Sequence, residues 1–244
     1  MRWNAISVFV TISIVSVIAM AIGVGIGRRL NTSTSSQLEM VFQPDTLGAE
    51  IQYLERTIGP PWKIWGAVRT YKVGECVVSI GTQGTKIDNL RLENISTRCQ
   101  FDLTRFLHAI LNGSSSDPKP SLGSIVGLTF GQFERSMGMG RIRADCLGNC
   151  GNSGGGGVYD LWGGYHVEGF LEVQLEADFS SKAAGTAFSA WGHAIEQQTG
   201  KDSISTGKYE CDTRNEAVAH RLFSDVPIAA ITVGYNIPKY LPHC

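Results

Sequence analysis

Residues 67–95 read AVRTYKVGECVVSIGTQGTKIDNLRLENI and contain three apolar stretches separated by glycine-containing turns. Within each stretch apolar and polar residues alternate, which is typical of half-buried strands. The predicted strands are Ala67–Val73, Glu75–Ile80 and Lys86–Ile95. Because short turns join antiparallel strands, we expect an antiparallel meander. Helical patterns on both sides of this meander make the predicted fold class α+β.

Helical periodicity defines most of the remaining chain. Apolar residues at helical spacing, followed by a Gly-Pro-Pro stop, predict a helix over Asp45–Ile58. A capping box formed by Thr129 and Gln132 predicts a second helix that continues to Met137. Other helices are expected at Asp102–Leu111, Ser181–Gln198 and Asp212–Phe223. The apolar segment Pro227–Val233 predicts a buried strand in a C-terminal helix and strand extension.

Two of these helices end in similar sequences. Leu54–Gly59 (LERTIG) and Phe133–Gly138 (FERSMG) share three identical and three similar residues. This match predicts an internal duplication, with helix-plus-meander units at 45–112 and 124–244 and a Ser/Pro-rich linker at 113–123. The alternative is a chance match, because amphipathic helices that end in glycine are common.

A helix that ends in an apolar-x-x-x-apolar-Gly pattern, as Leu54–Gly59 does, and precedes a meander has a counterpart in known families. The arrangement resembles small bacterial envelope modules of the outer-membrane assembly lipoprotein and β-lactamase-inhibitor-protein type. The resemblance concerns the order of elements and includes no diagnostic motif. It implies a protein-binding role.

The N-terminal segment Ile6–Ile26 has no charged residue and lies between Arg2 and the pair Arg28–Arg29. Its length matches the roughly 20 apolar residues that cross a bilayer as a helix. We therefore expect residues 1–27 to be a single-pass transmembrane anchor and residues 28–44 to be a juxtamembrane linker. A cleaved signal peptide is the alternative, because Ala19-Met20-Ala21 resembles a cleavage site.

The cysteines predict the compartment of the soluble part. All of them follow the predicted anchor: Cys76, Cys99, Cys146, Cys150, Cys211 and Cys244. An even set of this kind is typical of disulfides in an oxidising compartment. We expect the pairs Cys76–Cys99, Cys146–Cys150 and Cys211–Cys244, and a periplasmic domain on a bacterial inner membrane. A reduced cytoplasmic domain is the alternative.

The sequence GNSGG around Ser153 resembles the nucleophile loop of trypsin-like and envelope-stress serine proteases. The resemblance implies a serine hydrolase with Ser153 as its nucleophile. No histidine precedes His108, however, and the chain lacks the upstream general base of that family. We therefore expect Ser153 to lie in a structural or binding loop. No cofactor is expected, and a disulfide is favoured over a zinc site at Cys146 and Cys150.

Aromatic residues beside Gly- and Pro-rich turns are the predicted contact residues for a partner: Trp62, Trp65, Tyr159, Trp162 and Tyr165. The alternative is that they cap the core at the ends of the meanders. The helical histidines His193 and His220 are expected to be solvated. A net charge of −1, without a basic patch, argues against nucleic acid. The sequence therefore predicts a non-catalytic binding or scaffold module, bound to an envelope protein or to the cell wall.

Overall fold

The computed structural model of the chain describes residues 33–111, 122–144, 158–163, 171–178, 180–205, 209, 213–235 and 237. The helices of this part are α1 (Thr34–Val41), α2 (Ile51–Ile58), α3 (Leu103–Leu111), α4 (Phe130–Met137), α5 (Lys182–Thr199), α6 (Lys201–Ser205) and α7 (Thr213–Phe223). The strands are β1 (Lys63–Trp65), β2 (Val68–Val73), β3 (Cys76–Gln83), β4 (Lys86–Glu93), β5 (Arg141–Ala144), β6 (Val158–Gly163), β7 (Glu172–Ala177) and β8 (Ile228–Gly234).

These strands form one antiparallel sheet in the order β1-β2-β3-β4-β8-β7-β6-β5. The strand β8 occupies the centre, where Val233 pairs with Leu90 of β4 on one side and with Val173 of β7 on the other. A central strand suits this segment because its residues are almost all buried. The predicted class of helices combined with an antiparallel sheet is confirmed.

Strand register separates the side chains into two faces. Val78, Leu92, Ile231 and Leu175 are cross-strand neighbours, and all four are buried. Successive side chains of a strand point to opposite faces, so these residues define an apolar face. The other face carries the polar row Ser79, Arg91, Thr232 and Gln174. We call these surfaces the apolar face and the polar face.

The helices α2 and α4 end in the same way. Gly59 and Gly138 have φ values of 89° and 91°, and their N–H groups donate to the carbonyl oxygens of Glu55 and Glu134. Glycine adopts positive φ without a steric penalty, and it therefore ends both helices. The capping box predicted at the start of α4 is confirmed, because the Thr129 hydroxyl accepts from the Gln132 N–H and the Gln132 side chain accepts in return.

The segment before α2 differs from the sequence prediction. Part of the predicted linker forms α1, which Ser33 caps and which buries Leu38 and Val41. The predicted helix from Asp45 is interrupted, because Gly48 has a φ of 84° and its N–H donates to Ile87 O at 2.8 Å. Tertiary pairing with β4 therefore delays the helix until Ile51.

The predicted Cys76–Cys99 disulfide is confirmed, with a Cα–Cα distance of 5.4 Å. It links the start of β3 to the loop that follows β4. The other four cysteines and the predicted span Ile6–Ile26 lie outside the described residues. Among the residues that the structure describes, no helix is both long and apolar enough to cross a membrane.

We expect the double substitution Cys76→Ser and Cys99→Ser to lower the free energy of unfolding by about 3 kcal/mol, because the cross-link restricts the unfolded chain. Urea unfolding of the full-length protein in detergent, monitored by circular dichroism, measures this loss. Thr97→Ala, an exposed position in the same loop, is the matched control. Equal stability of the double variant and the control would contradict the prediction.

Candidate functional site

Exposed apolar side chains lie along the β1 edge of the sheet, with Ile64 toward the apolar face and Trp65 toward the polar face. Trp62, Ile64 and Trp65 are 63%, 58% and 77% exposed, and Val68 at the start of β2 is also exposed. We call these four residues the tryptophan edge. Pro60 and Pro61 lead into β1 after the helix stop, and Gly66 allows the turn into β2 with a φ of 57°. This arrangement keeps large aromatic side chains on the outermost strand of the sheet.

Two lysines lie against the exposed tryptophan rings. Lys72 Nζ lies 4.1 Å from the ring centroid of Trp62, and Lys63 Nζ lies 5.4 Å from that of Trp65. Both distances are in the range of cation–π contacts, which hold ammonium groups over aromatic faces. Between residues 60 and 73 the chain contains three basic residues and no acidic one. The tryptophan edge is therefore aromatic and cationic.

The helix α2 supports the strand behind this edge. The Glu55 carboxylate accepts hydrogen bonds from Tyr71 Oη at 3.0 Å and from an Arg69 N–H at 3.1 Å. Burial, together with the hydrogen bond to Glu55, raises the pKa of Tyr71 above its ordinary range. The phenol therefore stays protonated and remains a donor to Glu55. These bonds attach β2 to α2 and place the tryptophan edge on a rigid base.

The other aromatic residues predicted to bind a partner have different surroundings. Tyr159 is half-buried on the polar face, where it pairs with Glu176. Trp162 is half-buried and packs on Phe133, with a distance of 6.4 Å between ring centroids. Its indole N–H donates to Met137 O at 2.7 Å, so Trp162 joins β6 to the end of α4. Tyr165, like Ser153, lies outside the described residues.

The centre of the polar face is a network of charged and polar side chains. Arg91 donates to both carboxylate oxygens of Glu176, with one bond of 2.8 Å, and to Glu93 at 3.0 Å. It also contacts the Thr232 hydroxyl at 3.3 Å, and Gln174 donates to Glu176 at 3.0 Å. Arg91 is the cation that both carboxylates of this network share, and its bonds to Glu176 and Thr232 link β4, β8 and β7 across the sheet.

A second group of titratable residues is buried between the sheet and the helices α4 and α7. Asp160 faces the apolar side from β6 and is 0% exposed. Neither of its carboxylate oxygens has a hydrogen-bond partner among the described residues. His220 Nδ1 of α7 lies 2.5 Å from Glu134 Oε1 of α4, and both side chains are buried. The prediction that His220 is solvated is therefore wrong.

These surroundings favour the protonated forms of Asp160 and His220. Burial raises the pKa of Asp160 to about 7, and the nearby Glu134 and Glu216 add to this effect. Burial alone would lower the pKa of His220, but the hydrogen bond and the charge of Glu134 outweigh it and raise that pKa. The buried group can therefore hold protons near neutral pH.

A partial signal for Asp160 was present in the sequence. The segment VYDLWG alternates so that Val158, Asp160 and Trp162 share one face of β6, and Val158 is apolar. The carboxyl therefore shares its face with Val158, but Leu161 makes the opposite face equally apolar, so the pattern alone does not decide which face is buried. The charged residues around Asp160 could not be found from the alternation, because Glu134 and His220 lie on other elements, far apart in the chain. Within the described ranges no set of three or more His, Cys, Asp or Glu side chains is arranged to hold a metal ion.

We expect the stability of the protein to fall as the pH rises from about 5 to about 7. The folded state keeps a proton on Asp160 up to about pH 7, whereas an unfolded carboxyl ionises near 3.8. The folded state therefore binds more protons in this window, and His220 acts in the same direction because its pKa is also raised. Asp160→Asn removes the titrating carboxyl, so its stability should depend less on pH and should exceed that of the wild type at about pH 8.

Urea unfolding between about pH 5 and about pH 8 measures this difference. Asp225→Asn changes an exposed carboxyl in the loop after α7 and is the control. Parallel pH profiles for the wild type and Asp160→Asn would show that Asp160 does not titrate in this range.

The described part of the chain thus contains an exposed aromatic edge and a buried proton-holding cluster, at different ends of one sheet. The edge includes two of the five aromatic residues predicted to contact a partner, Trp62 and Trp65. The cluster had no counterpart among the predicted sites. Function must be argued from these two features alone, because no protein-family model, no curated protein and no solved structure matches this chain.

Proposed function

We propose that the chain is a non-catalytic binding module of the bacterial envelope, anchored in the inner membrane by residues 6–26 with its domain in the periplasm. The observation that carries the proposal is the tryptophan edge, where Trp62, Ile64 and Trp65 are exposed on one outer strand. Rigid aromatic side chains are favourable contact residues, since they offer a large area at a low entropic cost. The partner is an envelope component close to the inner membrane.

The compartment is inferred from the cysteines. A disulfide such as Cys76–Cys99 persists in an oxidising compartment and is rare in the bacterial cytoplasm. The predicted anchor would place the soluble part directly on the outer side of the inner membrane. Both features support an envelope protein whose partner lies near the bilayer.

The architecture supports a scaffold role. We infer that the units at 45–112 and 124–244 are related by duplication, because α2 and α4 end alike at Gly59 and Gly138. In this view the first unit contributes the four strands β1 to β4, the second contributes β5 to β7, and β8 joins the two meanders. A joined sheet of this width is a rigid platform on which surface residues can be held in place.

Protease treatment of spheroplasts tests the orientation. We expect protease added outside the cells to digest residues 28–244, because the periplasmic side is then accessible. A cytoplasmic protein in the same cells serves as the control for membrane integrity. Protection of the domain in intact spheroplasts, with digestion only after lysis, would place it in the cytoplasm and contradict the proposal.

Site-specific photo-crosslinking in intact cells tests the binding surface. A photoreactive residue at position 65 should form a defined adduct, whereas one at the exposed position 197, near the end of α5, should not. Trp62→Ala should reduce the adduct at position 65 while changing the free energy of unfolding by at most about 0.5 kcal/mol, because the site is exposed. Met139→Ala alters an exposed apolar residue elsewhere and is the control. Equal adducts at positions 65 and 197 would contradict the assignment.

A further inference from the structure

The position where the chain joins the domain is close to the tryptophan edge. Thr34, the first residue of α1, contacts Gly74 in the turn after β2, and a side chain at Gly74 would collide with it. Lys72, which covers the Trp62 ring, precedes Gly74 by two residues, about 7 Å along the strand. The start of α1 therefore lies at the end of β2, two residues from the lysine that covers the Trp62 ring.

The connection to the predicted anchor is short. Seven residues, 27–33, separate the end of the predicted span from α1. A chain of this length extends to about 25 Å at most. If the span is embedded, Thr34 and the adjoining end of β2 are held within that distance of the bilayer surface.

The chemistry of the edge matches that surface. Tryptophan is enriched at the level of lipid headgroups, where its ring is in a mostly apolar environment and its N–H reaches water. Lys63 and Lys72 lie beside the rings, and no acidic residue occurs between positions 60 and 73. Basic side chains at the membrane surface are attracted to anionic lipids.

The same edge is poorly suited to the addition of a strand from a protein partner. The strand β1 has only three residues, and Pro60 and Pro61 before it have no N–H to donate. A very short edge strand with proline and lysine is how proteins prevent edge-to-edge pairing. A flat, headgroup-rich surface needs no such pairing, because it is recognised by exposed rings and charges.

We propose that the tryptophan edge docks on the headgroup region of the bilayer that anchors the chain, with Trp62, Trp65 and Ile64 in the interface and Lys63 and Lys72 at anionic headgroups. This inference rests on the proposed function, because it requires the membrane anchor. Docking would fix the orientation of the domain, with the sheet held at a constant angle to the membrane.

Quenching of tryptophan fluorescence by brominated lipids tests the docking. Full-length protein is reconstituted into vesicles of phosphatidylethanolamine and phosphatidylglycerol, with or without bromine on the acyl chains. We expect strong quenching in the wild type, whereas the W62F/W65F variant should retain only the quenching of Trp3, next to the predicted span. Trp191→Phe removes a buried indole and should leave the quenching unchanged.

Charge reversal gives an independent readout. The K63E/K72E variant should lose quenching at Trp62 and Trp65 in anionic vesicles, and replacing phosphatidylglycerol by phosphatidylcholine should weaken the quenching of the wild type in the same way. Lys182→Glu, at an exposed position at the start of α5, is the control and should behave as the wild type does. Circular dichroism of each variant checks that the fold is retained.

The outcomes separate the two proposals. Protein that fails to enter vesicles, as judged by flotation and resistance to carbonate extraction, would refute the anchor and hence the proposed function. Protein that is anchored but shows no difference in quenching between the wild type and W62F/W65F would overturn only the docking. A protein adduct at position 65 in cells, without lipid quenching at Trp62 and Trp65, would also overturn it.

Discussion

The insertion of β8 between β4 and β7 is the constraint on which the rest of the structure depends. Val233 and Ile231 each contact apolar residues on both neighbouring strands, and the polar side chain between them, Thr232, joins the Arg91 network on the opposite face. Without this strand each meander would have a long unpaired inner edge. It is the last strand of the described residues, and its pairing with β4 joins residues more than a hundred positions apart.

The elements predicted correctly from the sequence are those whose signals lie in neighbouring residues. The capping box at Thr129, the glycine stops at Gly59 and Gly138, and the alternation in β2 to β4 are set by neighbouring residues, and the structure contains all of them. The helix α1 was missed because its apolar residues are diluted by serine and threonine. The strand β1 was missed because a Pro-Pro-Trp segment lacks alternation and forms a strand only by pairing with β2.

The same distinction separates the two candidate sites. Trp62 and Trp65 could be singled out from the sequence because they lie in a turn-rich segment, with prolines before the strand and a glycine after it. The pairing of His220 with Glu134 was hidden, because polar positions on two separate helices become buried only when those helices pack together. Trp162 is half-buried because the alternation of side chains along β6 turns its ring toward Phe133.

The tryptophan edge and the Asp160 cluster are six strand positions apart, roughly 30 Å at the usual strand spacing. The two sites also differ in what they contribute to the stability of the fold. The edge has little effect on folding, since its side chains are already in water, whereas the cluster is part of the contact between β6, α4 and α7. Distant sites without shared partners act additively. Surface contact and response to pH are therefore separate properties, and each can be changed without altering the other.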